Sequence, residues 1–303
     1  MPNIEYQSFH FNTDSLKLID YVNEIIDDYN KQGYSLTLRQ VYYQLVANDL
    51  IPNTDKQYKK IGSVVNNARL AGLIDWYAIE DRTRYIRERS HWDSPADIIK
   101  SAMYSYYKNY WDNQDYYIEV WVEKDALIGI IENSARKFDV PCFSCRGYTS
   151  QSEMWRASQR LIAKQDEGKT NIIIHLGDHD PSGIDMTRDI KERLEFFGAK
   201  VEINRLALNR DQIDEYNPPP NPAKLTDTRC QKYIKKYGKK SWELDALKPE
   251  LLAILIETEI DAYIDHGKWQ KVEFEINKGK NQLIKLTENW QKVCGYSFMK
   301  DTA

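Results

Sequence analysis

The sequence predicts an α/β protein in two parts. Residues 1–110 read as a lead-in helix and a winged helix-turn-helix, and residues 111–303 as a parallel sheet covered by helices with a helical C-terminal extension. Three observations predict this. Between Tyr116 and Leu206, β-branched and aromatic runs alternate with stretches of helical periodicity, the pattern of βαβ units. Upstream, closely spaced helical patterns lead into short strand-like segments around a turn. Two of the apolar runs end in carboxylates, at Glu123 and at Asp178-His-Asp180, which places acidic groups at the carboxyl ends of strands.

The elements follow in order. Asp14 to Tyr29 carries Leu16, Ile19 and Ile26 at helical spacing and stops at Gly33. Thr37 caps a second helix through Tyr42, Tyr43, Leu45 and Val46, and Asn53-Thr54 opens a third through Ile61, Val64, Val65, Ala68 and Leu70 to Gly72. Leu73 to Ile79, with the basic segment Glu80 to Arg87 after it, reads as the short strands of a wing. Lys56, Lys59, Lys60 and Arg69 on the third helix, and Arg82, Arg84, Arg87 and Arg89 on the wing, suit DNA phosphates; a solvated basic face is the plain alternative. Ser94-Pro-Ala-Asp97 starts a further helix to about Tyr110 that bridges to the second part.

In the second part the strands are 116–122, Val140 to Cys145, 171–177 and Lys200 to Leu206, and the helices 125–137, 151–166 and 182–197. Asn217-Pro-Pro-Pro-Asn-Pro222 breaks the alternation as an extended loop. Beyond it, Arg229, Lys232, Lys235, Lys236, Lys239 and Lys240 form either a rail for DNA or a solvated helix face.

The composition narrows the function. With 303 residues there is room for two cores, and the net charge of −4 argues against a generic polyanion binder while leaving local basic patches possible. No stretch reaches the length of a membrane span, and MPNIEYQSFH lacks a basic-then-apolar signal, so a cytoplasmic location is expected. Four cysteines are then expected reduced; Cys142 and Cys145 form a C-x-x-C, but Cys230 and Cys294 supply no second pair for zinc.

The acidic strand ends carry the chemistry. Asp178 and Asp180, two residues apart after Asn171-Ile-Ile-Ile-His175, point to one side of the sheet edge, where carboxylates hold a hard divalent cation such as Mg²⁺. Pro181 suits a helix start, and Gly183 lets the backbone pass close to the site. The plain alternative is a turn aspartate at 178 and an N-cap at 180. If the strands ending at Glu123 and Asp178 are neighbours, Glu123, Asp178 and Asp180 converge, and their mutual repulsion calls for a cation. His179 faces away by strand alternation, as a structural group or a phosphate contact, and Arg146-Gly-Tyr-Thr-Ser150 is either a DNA contact or a turn.

Taken together, these motifs resemble the A subunit of topoisomerase VI and its relative, the meiotic double-strand-break transesterase, over roughly residues 35 to 265. Thr37-Leu-Arg39-Gln-Val-Tyr42-Tyr43 is similar to that family's nucleophile motif, an Arg four residues before the second residue of an aromatic pair. Val122-Glu-Lys-Asp125 and Gly177-Asp-His-Asp-Pro181 resemble the two metal motifs of the Toprim fold, and Trp242-Glu-Leu-Asp-Ala-Leu247 a further family segment. The resemblance implies a catabolite-activator-like winged helix followed by a Toprim domain. It implies Tyr43 as nucleophile, Arg39 on the scissile phosphate, and Mg²⁺ on Glu123, Asp178 and Asp180. It also implies duplex DNA as substrate and a homodimer whose active site is shared between subunits; the family's ATPase is a B subunit in trans, which nothing in this sequence could be. The chain is shorter than a usual A subunit and looks like the compact homologues of mobile elements, which do not obviously have a B subunit.

The expected reaction is type IIB topoisomerase chemistry: Mg²⁺-dependent double-strand cleavage in which a tyrosine displaces a 3′ oxygen and forms a 5′-phosphotyrosyl bond. Arg39 lies one helical turn before Tyr43 on the same face, whereas Tyr42 points elsewhere and packs. Two other functions fit the same residues. One is a metal-dependent Toprim nuclease in which water attacks, and the other is a DNA-binding module whose ion is not catalytic.

Overall fold

The computed structural model describes residues 3–34, 36–79, 89–222, 227, 229–290 and 292. The chain divides into two compact units, Met1–Arg84 with Tyr116–Ala262, and Tyr85–Asp115 with Tyr263–Ala303. The architecture is mixed α/β, with a four-stranded parallel sheet flanked by helices.

The first unit opens with three helices, α1 (Thr13–Lys31), α2 (Leu38–Ala47) and α3 (Asp55–Leu70). Each starts at a side chain that satisfies an orphan N–H. Asn12 caps α1, Thr54 caps α3, and Thr37 with Gln40 forms a reciprocal capping box on α2. Leu18, Val22, Ile26, Val41, Leu45, Ile61 and Val65 bury a common core between them.

Leu73 to Ile79 is not a strand. It is a series of turns with one isolated bridge from Ile79 to Leu36. The cause is Arg69, whose guanidinium stacks on Trp76 at 5.1 Å and donates to the carbonyls of Trp76 and Ile79 (2.7 Å to the latter), so the chain curls around it. Ile74, Ala78 and Ile79 plug the helical core from this curl. Arg69 is therefore turned inward, while Lys56, Lys59 and Lys60 remain exposed. The rest of the expected wing, including Arg82, Arg84 and Arg87, lies outside the described residues, and Arg89 is exposed.

The sheet consists of β1 (Tyr116–Val122), β2 (Cys142–Ser144), β3 (Thr170–Leu176) and β4 (Glu202–Ala207), in the order β2-β1-β3-β4, all parallel. Its crossovers are α5 (Ile128–Arg136), α6 (Gln151–Asp166) and α7 (Pro181–Phe196). Trp121 and Ile173 face Met154, Leu161, Met186 and Ile190 of α6 and α7. Residues of opposite parity, Ile118, Val120, Ile172 and Ile174, are equally buried on the other face, on the side of α5 and α10 (Pro249–Asp261). Chain direction across the sheet reverses between β1 and β3: β1 leads outward to β2, and β3 outward to β4. A crevice at the carboxyl ends of these two strands is where ligands bind in open α/β sheets.

After β4 come α8 (Arg210–Tyr216), the proline-rich loop, and α9 (Cys230–Tyr237). The loop's Asn221–Pro222 (β5) pairs antiparallel with Lys240–Ser241 (β6). Leu244–Ala246 then makes a single 3₁₀ turn.

In the second unit, α4 (Pro95–Ser105) packs on α11 (His266–Glu288). Tyr110 stacks on Trp269 at 4.1 Å, and Gln114 trades hydrogen bonds with the backbone of Asp265. A Cβ on Gly279 would sit 2.3 Å from the Tyr106 ring, so only glycine admits that contact.

Among the described residues no helix is long and apolar enough to cross a membrane. Cys142, Cys145 and Cys230 are free thiols, and burial pushes the first two up to about 12. Cys294 lies outside the described residues.

Candidate active site at the ends of β1 and β3

Glu123 directly follows β1, and its N–H continues the ladder to Leu176 at 2.9 Å. Its Oε2 accepts the backbone N–H of Asp178 at 2.9 Å, so the side chain ties the two strand ends together. The contact needs two glycines. A Cβ on Gly177 would lie 3.0 Å from Glu123 Oε2, and one on Gly183 would lie 2.3 Å from the Asp178 carbonyl and 2.9 Å from the same carboxylate. Burial and the charge of Asp180 both push Glu123 up, against the Asp178 N–H, Lys124 and Arg205.

Asp180 is the N-cap of α7, as the plain reading of the motif anticipated. Its Oδ1 accepts from Gly183 N at 2.6 Å and from Ser182 Oγ at 3.0 Å. Asp178 is turned elsewhere. Its Oδ1 accepts Leu244 N at 2.8 Å, and its Oδ2 lies 2.7 Å from Lys124 Nζ. The neighbouring strands thus bring Glu123 and Asp180 near one another, with Asp178 occupied by Lys124. Among the described residues no three His, Cys, Asp or Glu side chains are grouped ready to hold a metal ion. Oε1 of Glu123 and Oδ2 of Asp180 make no hydrogen bond among the described residues, and Asp245 Oδ1 is buried without one.

Lys124 is the hub of a second cluster. Its ammonium also contacts Glu243 and lies 3.6 Å from Asp245. Arg39 on α2 reaches the same two acids, 3.1 Å to Asp245 and 3.4 Å to Glu243. Three carboxylates therefore share two cations. Burial works against the charge of Lys124, but Asp178, Asp245 and Glu243 outweigh it and hold it protonated. Asp178 carries the strain of the excess negative charge: burial raises it well above the carboxylate range, and Glu243, Glu123 and Asp245 add to Lys124's failure to bring it back. Glu243 goes the other way, since Lys124 and Arg39 overcome the effect of its burial and lower it.

Tyr43 stands over this cluster because α2 packs on the 244–246 turn. Arg39 Cζ is 5.5 Å and Lys124 Nζ 5.9 Å from its ring centroid. The ring is 8% exposed, and among the described residues its hydroxyl makes no hydrogen bond. Burial and Glu243 push the phenol up to about 12, despite Arg39 and Lys124. Tyr42 differs entirely: its hydroxyl donates to Asn53 Oδ1 (3.0 Å) and Thr54 O (3.1 Å) and accepts Thr54 N (2.8 Å), locking α2 to the start of α3.

Arg205, on β4, props the acidic loop from below. It donates to the carbonyls of Gly183 (2.9 Å), Gly177 (3.0 Å) and Asp178 (2.7 Å) and to Thr187 Oγ1 (2.9 Å). Burial lowers its pKa, while Glu123, Asp178 and Asp180 favour its charge. His179 is a structural group. It is buried against Tyr233, Tyr237 and Trp242, with Nδ1 2.8 Å from the Tyr233 hydroxyl, and exchanges backbone hydrogen bonds with Trp242.

Sequence reasoning singled out Tyr43, Arg39 and the strand-end acids but not Lys124, Arg205, Glu243 and Asp245 as site residues. A signal existed for the last two, because Glu243-Leu-Asp245 repeats the i, i+2 acid spacing of Asp178-His-Asp180. Arg205, a lone arginine in a strand-like run, was a weaker one. No protein-family model matches the chain, and a search of curated proteins finds no significant match.

Proposed function

We propose that this protein is a DNA-cleaving transesterase of the topoisomerase VI A-subunit kind, with a winged helix carrying Tyr43 and a Toprim domain carrying the acids. The observation that carries the reading is the placement of Tyr43 against Lys124, with Arg39 on its other side, where Lys124 is the neighbour of Glu123 at the β1–β3 crevice.

The donor set suits Mg²⁺, which binds through one or two carboxylates plus waters and substrate phosphates rather than in an all-protein cage. Glu123 and Asp180, with uncommitted oxygens, would hold the ion, and Asp178 would add to them where Lys124 turned to substrate. The ion, when bound, supplies charge neutralisation on the scissile phosphate. The chain's own groups do the rest. Tyr43 Oη forms a bond to phosphorus as the bond from phosphorus to the 3′ oxygen breaks, and the phenolic proton is lost while the 3′ oxygen gains one. Arg39 and Lys124 turn from their carboxylates toward the phosphate and stabilise the charge that builds on it. The phosphodiester energy is kept in the phosphotyrosine, so resealing needs no further energy source.

Incubation with supercoiled plasmid and Mg²⁺, followed by denaturation with and without protease, tests this. Broken DNA covalently attached to protein is expected, with Tyr43→Phe giving none. Breaks with free 5′ ends would replace the reading with its runner-up, a Toprim nuclease in which water attacks; the burial of Tyr43 and its raised phenol pKa favour that second reading.

A further inference from the structure

Trp242, the residue before Glu243, lines a cavity of about 590 Å³ bounded by α8, the proline-rich loop and the chain after α9. Its lining joins apolar and cationic groups: Pro218, Trp242 and Tyr237 with Arg210, Lys239 and Lys240. The Arg210 guanidinium carbon lies 5.2 Å from the centroid of the Trp242 ring, with Asp214 holding the group at 2.8 Å. Lys239 and Lys240 are exposed, and among the described residues neither has a carboxylate partner. Asp214 is the acidic side chain of the lining, and Arg210 already engages it. The walls thus carry two unneutralised positive charges beside a planar cation, over an apolar floor. The position of Lys240 is fixed by its pairing with Pro222 and by the Tyr233 hydroxyl, which donates to its carbonyl at 3.0 Å.

Planar and point cations above a proline and aromatic floor match a phosphate ester joined to a flat or apolar body, and the volume is that of a small-ligand site. We propose that this cavity binds one nucleotide unit of a nucleic-acid strand, its phosphate between Arg210 and the two lysines. The inference rests on the reading of the protein as a DNA-binding one but not on Tyr43 acting as a nucleophile. A nucleotide held here is offset from the acid cluster by one residue of chain at Trp242–Glu243, so the site grips a strand beside the place where it is cut.

The test measures equilibrium binding of a short single-stranded oligonucleotide to the full chain in excess chelator, which removes cleavage from the readout. Lys239→Ala with Lys240→Ala is expected to weaken binding tenfold or more and to lower the log–log salt slope by about 1.4. The control is Lys232→Ala with Lys235→Ala, exposed positions on α9 outside the cavity with the same loss of charge; it is expected to change affinity less than threefold. Equal losses from both pairs would overturn the proposal in favour of a diffuse basic surface, as would polyglutamate of matching charge responding in the same way. Thymidine monophosphate binding as tightly as the oligonucleotide would also overturn it, since the ligand would then be a free nucleotide. Because binding is read without metal and without the tyrosine's chemistry, absence of a covalent adduct in the plasmid assay leaves this result intact.

Discussion

Lys124 Nζ lies 2.7 Å from Asp178 Oδ2, so the residue after Glu123 on one strand end neutralises the first acid of the other. The pair is nearly dry, and two more carboxylates lean on the same ammonium. Removing it leaves Asp178 without its ion-pair partner and Glu243 and Asp245 to share Arg39 alone. Lys124→Met should destabilise the fold by about 3–5 kcal/mol, the usual cost of breaking a buried ion pair from one side. Urea denaturation at pH 7 measures it. Raising the Mg²⁺ concentration should recover part of the loss, because a divalent cation can serve the abandoned acids; a variant as stable as the parent would dismiss Lys124 as the hub.

The two adjacent tyrosines should separate cleanly. Tyr42→Phe deletes a hydroxyl with three hydrogen bonds and should cost about 1–3 kcal/mol of stability. Tyr43→Phe deletes a hydroxyl with none among the described residues and should change stability by less than about 0.5 kcal/mol. Under the proposed chemistry the order inverts for activity: Tyr43→Phe abolishes the covalent adduct and Tyr42→Phe retains it. The same ranking in both assays would argue against the division of roles.

Tyr43 and Arg39 lie against the Lys124, Glu243 and Asp245 of their own chain. A dimer that shares its active site requires them to serve a partner instead, so mixing inactive variants distinguishes the arrangements. If the site is shared, Tyr43→Phe and Asp178→Ala chains allowed to exchange form heterodimers with one intact centre and nick plasmid without linearising it. If each chain uses its own tyrosine, no heterodimer holds an intact centre, and the mixture stays inactive.

Two histidines set an acid limit. Burial holds His175 down to about 3, with Arg205 adding to the effect, and burial and Arg205 hold His179 down to about 4. Both are neutral in the fold, whereas an unfolded histidine protonates near pH 6.5. The unfolded chain therefore binds more protons between about pH 6.5 and 4, and their contribution to stability, full above 6.5, is lost as pH falls through that window. Together they should weaken the fold by on the order of 5 kcal/mol by pH 4, at about 1.4 kcal/mol per pKa unit. Urea midpoints across this range should fall less steeply for His179→Asn than for the parent, and identical slopes would remove His179 from the account.

The parallel sheet was legible because β-branched runs such as Asn171-Ile-Ile-Ile-His175 leave few alternatives once helical spacing resumes at Pro181. The caps Thr37, Thr54 and Ser94 were readable for the same local reason. Local signals failed where a distant partner decides. Leu73 to Ile79 has strand composition but curls around Arg69, and no pattern within the segment announces a guanidinium that takes its carbonyls. The Asp178–Lys124 pair was hidden for a related reason. Spacing told which acids share a strand end, but the Glu243-Leu-Asp245 turn, over sixty residues downstream of Asp178, determines which cation each acid meets.

The helical unit draws its α4 from before the sheet and its α11 from after it, and the chain in between builds all four strands. During synthesis α4, which buries none of its residues within itself, emerges with no helix to lie on until Trp269 and its neighbours have been made. The three N-terminal helices and the sheet-bearing segment are both made before α11, so during synthesis the pairing of α4 with α11 comes after them.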